Sequence, residues 1–242
     1  MKFEHKFKIG LREIGLNNKL SNYGILAYLQ DLATMHSDTV DYGVKDVFSK
    51  KQAWLLMDWQ LEVKNRPAFN EDINIETYAV ASNKPSFHCY RDFNLFDKNN
   101  NLIATATSKW VLFDSNINKI VKVDENIMNK FGSEGNSSVS EAKLKKLKER
   151  DLTRCTFEYT VNRADIDVNK HVNNLNYLKF AYEAIPEDLF FGEELNNLRI
   201  MYKHQIKLGD KIKCCYSFED NKHSIAIKSE DEKTLHAIVE LW

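Results

Sequence analysis

Proline is scarce in this 242-residue chain: Pro67, Pro85 and Pro186 are the only three, beside eight glycines. Few residues of either kind argue against linker-rich or low-complexity sequence, and long disorder is not expected. Charge of one sign is also missing. Lys and Arg number 34 against 35 Asp and Glu, a formal net charge of −1, so no global field points to nucleic acid. No run approaches the roughly 18 consecutive apolar residues of a membrane span. The opening Met1-Lys2-Phe3-Glu4-His5-Lys6 has neither the apolar stretch of a secretory signal nor the Arg/Ser bias of a transit peptide. Cysteine is limited to Cys89, Cys155, Cys214 and Cys215, without framework spacing. On a strand the adjacent Cys214 and Cys215 would face opposite ways. A reduced, cytoplasmic protein is therefore expected. There is no glycine-rich phosphate loop and no ligand-spaced cluster of Cys, His and acids, so neither a cofactor nor a metal is expected.

What is present is an ordinary globular composition, 43% hydrophobic and 29% charged, with 12% aromatic residues to fill a core. The chain also echoes itself. Phe7, Ile9 and Leu11 alternate with polar residues, and so do Phe157, Tyr159 and Val161, as half-buried strands do. Each triplet leads through a polar stretch into an amphipathic helix. The first helix is expected from about Asn22 to Ser37, with Ile25, Leu29, Leu32, Ala33 and His36 inward. The second is expected from about Asn173 to Ile185, with Leu175, Leu178, Tyr182 and Ile185 inward and Pro186 ending it. Only strands follow each helix: 54–63, 73–80, 86–96 and 103–113, then 198–207, 211–218, 224–228 and 235–242. The last hairpins superpose without gaps, Phe93, Leu95, Ile103 and Trp110 on Ile225, Ile227, Leu235 and Trp242. One helix against a curved antiparallel sheet, twice, is an α+β tandem (double) hotdog. The halves are 1–131 and 153–242. Between them, 132–152 reads as a linker (132–138) followed by a short basic helix over Glu141–Arg150.

The chemistry concentrates in Asp165-Ile166-Asp167-Val168-Asn169-Lys170-His171-Val172-Asn173-Asn174. Extended, this stretch would put Asp167, Asn169 and His171 on one face. They stand just ahead of a helix N-terminus, where free N–H groups and the dipole favour negative charge. Thioester hydrolysis needs a base for water and donors for the oxyanion, and these residue types supply both. Asn173 or Asn174 would cap the helix. Asp, Asn and His are also ordinary turn residues, so the spacing alone does not decide. The repeat adds weight. Leu16, Asn18 and Leu20 stand near the matching place in the first half, Asn18 against Asn169 and Asn22 against Asn173, if a one-residue slip is allowed. On that alignment the first half has leucines for Asp and His, an inactive copy of an active half.

At these residues the sequence resembles the acyl-ACP thioesterases. The run Asp167–Asn174, with Tyr177, Glu183 and Pro186, is similar to the family's helix-entry signature. Trp54–Val63, Ala81-Ser82-Asn83-Lys84 and Ser108-Lys109-Trp110-Val111 also resemble it, and the likeness covers nearly the whole chain. With no transit peptide expected, it is similar to the bacterial members rather than the plastid ones. The resemblance implies a double hotdog that hydrolyses fatty acyl-acyl carrier protein and so ends chain elongation. It also implies an acyl chain held largely by the N-terminal half and chemistry in the C-terminal half. Asp167 and His171 would orient and activate a water, and Asn169 would contact the thioester. One departure stands out. The family usually has a glutamate, often followed by cysteine, on the strand after the second helix, and this chain has Gln205 and Ile206 there. A cysteine nucleophile at that place is excluded, which favours direct attack by water.

Glu183 lies off the helix's apolar stripe and is a secondary candidate, as are Gln205 and Asn173. His36 reads as a packed core histidine, and His236 shows no partner pattern. The lysines of 143–150, with Lys203, Lys207, Lys211 and Lys213, read as solvated faces and as a docking surface for an acidic carrier. An acyl-CoA hydrolase of the same fold and a non-catalytic acyl-thioester binder remain as alternatives. A homodimer is left open. A hotdog dehydratase would want a His before a Pro/Gly-rich loop, which this chain lacks.

Overall fold

The computed structural model describes residues 2–80, 86–132, 144–151, 154–192 and 194–242, and the chain divides into two compact units, Met1–Lys145 and Lys146–Trp242. The 81–84 segment and most of the 132–143 segment singled out above lie outside the described residues.

In the first unit β1 (Phe3–Lys8) leads to the helix α1 (Asn22–Thr39) and the short α2 (Asp46–Lys50). Then come β2 (Gln52–Val63), β3 (Asp72–Val80), β4 (Cys89–Asp97), β5 (Leu102–Asp114), β6 (Lys119–Val121) and α3 (Glu125–Lys130). The strands pair antiparallel in the order β1-β3-β4-β5-β2, with β6 beside β5. Ser21 caps α1 by accepting the Gly24 N–H at 3.0 Å. A side chain at Gly24 would run into the Glu13 carbonyl oxygen, 2.2 Å from an ideal Cβ, so glycine lets the entry loop close onto the helix. The expected inward residues of α1 are all buried, and Leu26 and Tyr28 join them. Trp59, Leu61, Ile73, Ile75, Phe93 and Leu95 are fully buried, each contributing about 1.5–3 kcal/mol of apolar transfer.

The second unit runs β7 (Arg154–Thr160), a 3-10 turn (Arg163–Asp165), α4 (Asn174–Ala184), α5 (Glu187–Phe190), β8 (Asn197–Tyr202), β9 (Lys211–Glu219), β10 (Lys222–Ser229) and β11 (Leu235–Leu241). Its sheet order is β8-β11-β10-β9-β7, and α4 lies against β7, β9, β10 and β11. Each unit is thus a hotdog, as expected. The buried face of α4 differs from the expected one. Asn176, Tyr177, Leu178, Phe180, Ala181 and Ala184 are inside, while Leu175 and Tyr182 are only half-buried. Alanines on the inner face bring helix and sheet close, a signal that counting large aliphatics misses.

Three further expectations are corrected. Residues 144–150 are not helical. A short lysine-rich segment is a marginal helix on its own, and here tertiary contacts hold it. Leu144 packs with Val80 and Tyr90, while Arg150 bridges Glu219 and Asp220, both at 3.2 Å, and the buried Glu240 at 3.5 Å. The cysteines are not all free: Cys155 and Cys215, opposite one another on β7 and β9, form a disulfide. A sequence separation of 60 conceals that cross-strand pairing. The final hairpins do not superpose without gaps. Leu95 pairs with Ala104 and Phe96 with Leu102, whereas Ile227 pairs with Ala237 and Lys228 with Leu235. The second turn is therefore one residue longer, and Leu235 matches Leu102 rather than Ile103. Among the described residues no helix is long and apolar enough to cross a membrane.

Candidate active site

The stretch expected to be extended is a tight hairpin. Ile166 bridges Val172, the Asp167 N–H donates to the His171 carbonyl at 2.8 Å, and the Lys170 N–H donates to the Asp167 carbonyl at 3.0 Å. Lys170 takes the left-handed conformation, φ 64°, that closes the turn. Asp167 Oδ1 accepts the Asn169 N–H at 2.8 Å and, more weakly, the His171 N–H at 3.4 Å. An Asx-type turn, not strand alternation, therefore brings these residues together. Asn169 is exposed at the tip, and Asp167 and His171 are half-buried. His171 Nδ1 is buried with no hydrogen-bond partner among the described residues.

The hairpin hands the chain directly to α4. The Asn173 N–H donates to the Asp165 carbonyl at 2.8 Å, and the Asn173 side chain caps the helix by accepting the Leu175 N–H at 2.9 Å. Asn173 is thus a helix cap whose amide oxygen is committed to the backbone. Asp165 anchors the other side, accepting from the Tyr159 hydroxyl and from the Asn162 N–H, both at 2.9 Å.

The same hairpin stands in the first unit, and it corrects the expected alignment. Ile14 bridges Leu20, the Gly15 N–H donates to the Lys19 carbonyl at 2.8 Å, and Asn18 takes φ 61°. Gly15 therefore matches Asp167, Asn17 matches Asn169, Lys19 matches His171 and Ser21 matches Asn173. No slip is needed, and the acid and the imidazole are replaced by glycine and lysine rather than by leucines. The turn is also capped differently. Asn17 Oδ1 accepts the Lys19 N–H at 3.1 Å in the first unit. In the second, Asp167 does that work, and the amide of Asn169 is left for other use.

Gln205 lies in the loop after β8, which ends at Tyr202, and not on a strand. Two contacts bring this loop to the hairpin and to the helix that follows it. The Val172 N–H donates to the Ile206 carbonyl at 2.9 Å, and the Tyr177 hydroxyl is hydrogen bonded to the Ile206 backbone. In the first unit the Leu20 N–H donates to Pro67 at 2.8 Å, so Gln205 matches Arg66. That guanidinium reaches the Leu20 carbonyl at 3.0 Å and Asn22 Oδ1 at 2.8 Å, which shows how a side chain at this position meets the helix entry. Gln205 itself is exposed. Glu183 is not brought in. It is exposed in the last turn of α4, roughly 13 Å along the axis from the hairpin at 1.5 Å per residue.

Two residues near the hairpin carry more weight than the sequence suggested. Tyr177 is buried, and burial, opposed by its bond to Ile206 and reinforced by the Asp167 and Asp210 carboxylates, raises its pKa. His236, buried on β11, hydrogen bonds through Nδ1 to the His204 carbonyl at 3.1 Å, and burial lowers its pKa. The Asn-Asn-Leu-Asn-Tyr run could have singled out Tyr177 as an inward residue one turn into the helix. Nothing in the sequence links His236 to residue 204.

The family model described as acyl-ACP thioesterase N-terminal domain matches residues 1–131, and that described as acyl-ACP thioesterase C-terminal domain matches 148–240. The chloroplastic oleoyl-acyl carrier protein thioesterase of Coriandrum sativum is 24% identical over 248 residues, which cover 94% of this chain and 66% of the relative. The chloroplastic dodecanoyl-[acyl-carrier-protein] hydrolase of Umbellularia californica is 24% identical over 217 residues, 84% of this chain and 56% of the relative. The chain thus spans 51% to 66% of the length of such curated relatives. Among solved structures, an acyl-ACP thioesterase from Bacteroides thetaiotaomicron superposes with a TM-score of 0.84 at 17% identity, covering 99% of this chain and 96% of that one. The 12:0-ACP thioesterase from Umbellularia californica gives 0.83 at 18% identity, with 99% and 96% covered. At such identities the superpositions establish the fold, the double hotdog. The two family models, matched in order over the two halves, establish more: this chain belongs to the acyl-ACP thioesterase family.

Proposed function

We propose that this protein hydrolyses the thioester of fatty acyl-acyl carrier protein, releasing the free fatty acid, with Asp167, Asn169 and His171 as its chemical residues. The observation that carries the reading is the difference between the two hairpins. The backbone is the same in both, yet only the second has an acid, an imidazole with an unpartnered ring nitrogen and an uncommitted amide. Folding alone does not ask for that set, since Gly15 and Lys19 close the same turn.

In this reading His171 takes a proton from the attacking water. Asp167 holds the hairpin through its Oδ1 contacts to the Asn169 and His171 N–H groups and, with His171, orients the water. The Asn169 amide donates to the thioester oxygen as it gains charge, with the first turn of α4 behind it. Gln205 positions the water or the Asp167–His171 pair. It can donate and accept hydrogen bonds but cannot take a proton from water. The loop that carries it also presents the exposed Lys203 and Lys207, and Lys146 and Lys148 are exposed as well. These four suit an acidic carrier protein. Lys211 and Lys213 suit it less, being paired with Glu230 and Glu232, each at 3.0 Å. A hydrolase works where its carrier is held, and the reading takes the cytoplasmic location with it.

The test is release of free thiol from a panel of acyl-acyl carrier proteins of graded chain length, with acyl-CoAs of equal length alongside. Turnover of the carrier-bound series that falls away in His171→Ala supports the reading. Preferential turnover of the CoA series moves the assignment to acyl-CoA. Tight binding of either series without turnover makes the protein a binder and defeats the proposal.

A further inference from the structure

Three polar rings surround the loop after β8, and three aliphatic side chains stand at the matching places of the first unit. The backbone sets the match. The His236 carbonyl accepts the Lys203 N–H at 2.8 Å and the His204 N–H at 3.2 Å, and in the first unit the Ile103 carbonyl accepts the Lys64 N–H at 2.7 Å and the Asn65 N–H at 3.1 Å. His236 therefore matches Ile103. Tyr177 follows the cap Asn173 by four residues, as Ile25 follows Ser21. Tyr202 precedes Ile206 by four, as Val63 precedes Pro67. All six side chains are buried. An aliphatic residue thus meets the packing demand at each place, and the second unit adds polar atoms whose burial is unfavourable unless they are bonded.

Those atoms are spent on the loop and on the helix entry beside it. His236 Nδ1 meets the His204 carbonyl at 3.1 Å, and since a carbonyl only accepts, Nδ1 carries the proton. The ring also feels the backbone carbonyl of Gln205. The Tyr177 hydroxyl is hydrogen bonded to the Ile206 backbone. Tyr202 donates its hydroxyl proton to the Asn174 carbonyl at 3.1 Å and meets the Tyr177 ring edge to face at 5.2 Å. Strand β11 and helix α4 therefore hold the backbone of 204–206 from beneath. The first unit ties the same loop from above. There the Arg66 guanidinium bonds Leu20 and Asn22, and Pro67 stiffens the chain. Gln205 has no such duty. Its side chain is exposed and makes no hydrogen bond among the described residues, while the peptide groups around it are fixed.

We propose that His236, with Tyr177 beside it, is a positioning residue for the hydrolysis: its Nδ1–H fixes the 204–206 backbone so that Gln205 stands at a set place next to the Asp167–His171 hairpin. The proposal rests on the hydrolytic reading given above. The loop already meets the hairpin through the Val172 N–H and the Ile206 carbonyl at 2.9 Å, so a shift of the loop is a shift of Gln205 relative to His171. A misplacement of about 1 Å can lower a rate by about 10²-fold without any change in the reacting groups. His236 does not touch the reacting atoms in this scheme. It acts through Gln205.

The test is a double-mutant cycle in the hydrolysis of acyl-acyl carrier protein, with amide hydrogen exchange of the 203–207 segment measured on the same proteins. His236→Ile, which copies Ile103, should lower kcat about tenfold with KM held within about twofold and melting lowered by only a few degrees. His236→Asn returns an N–H near the place of Nδ1 and should recover most of the lost rate. Tyr177→Phe should lower kcat in the same direction. In a Gln205→Ala background His236→Ile should cost little more, because the side chain it displaces is gone. Exchange over 203–207 should quicken in His236→Ile and slow again in His236→Asn, a readout that needs no turnover. Unchanged exchange in His236→Ile, a rate loss as large without Gln205 as with it, or an asparagine no better than isoleucine would each overturn the proposal. A wild-type protein without turnover, whose 203–207 exchange still quickens in His236→Ile, would instead overturn the hydrolytic reading beneath it.

Discussion

In the proposed reaction Asp167 does two things at once, and the two hairpins allow them to be separated. Its Oδ1 holds the Asn169 N–H at 2.8 Å and the His171 N–H at 3.4 Å, and the second contact is too long to count fully. A hydrogen bond to a charged acceptor is worth about 1.5–3 kcal/mol, and less at a half-exposed site, so losing it should cost about 1–2 kcal/mol. At this chain length that is a fall in melting temperature of a few degrees, roughly 2–4 °C per kcal/mol. The first unit suggests why the cost of Asp167→Ala should fall at the low end: Asn169 can swing into the role that Asn17 plays against Lys19. That rescue withdraws Asn169 from the thioester, so a small stability loss should accompany a large loss of rate. Asp167→Asn retains the acceptor and removes only the charge. It should melt like the wild type and still lose about 10²–10⁴ in kcat, a general acid–base contribution. Thiol release from acyl-carrier protein, read beside thermal melts, checks both. Near-wild-type kcat in Asp167→Asn, or a loss in Asp167→Ala that tracks melting and recovers on cooling, would show that the carboxylate only braces the turn.

His171→Ala and His171→Lys, the second copying Lys19, should fold with little change in melting and lose roughly 10²–10⁴ in rate; wild-type turnover in either sinks the assignment. Asn169→Ala should raise the barrier by about 3–4 kcal/mol with little effect on stability, measured as kcat on a saturating substrate. Gln205→Ala should slow the reaction less than His171→Ala does. Gln205→Glu should stay active with the acidic limb of its pH–rate profile moved to higher pH, and an unmoved limb would put residue 205 outside the site. His36 sets a pH dependence of stability. Its folded pKa of about 4 lies below the ordinary value of 6.5, so its contribution is complete above pH 6.5 and is lost as pH falls through 4. At about 1.4 kcal/mol per pH unit the loss comes to about 3–4 kcal/mol, and His36→Gln should flatten urea midpoints measured across that window.

Much of the fold was legible because its signals are local. Alternating strands, an amphipathic helix in each half and polar turns can all be read within a dozen residues, and the central elements stand within a few residues of their expected bounds. What was not legible depends on contacts between distant segments. The 3.6-residue pattern of α4 favoured Leu175 and Tyr182, but packing chose Ala181 and Ala184, because a close helix–sheet approach rewards small side chains. Strand β8 was carried on to residue 207, yet the chain leaves the sheet after Tyr202, where the Lys203 and His204 N–H groups both turn to the His236 carbonyl. Neither that junction nor the Cys155–Cys215 pair leaves a mark in the intervening sequence.

The candidate site shows the same division. Residue types and their order pointed to Asp167, Asn169 and His171, but the extended geometry offered for them does not occur. Alternation along a strand would have aimed all three side chains alike and committed none of them. A hairpin instead spends one oxygen of Asp167 on its own backbone and lifts Asn169 to the tip. That same expenditure leaves the Asn169 amide uncommitted, in contrast to Asn17. An internal repeat is therefore most informative as a control on cost. Where both halves meet one structural demand by different means, as with Asn17 and Asp167, the side chain relieved of that demand is available to the proposed chemistry.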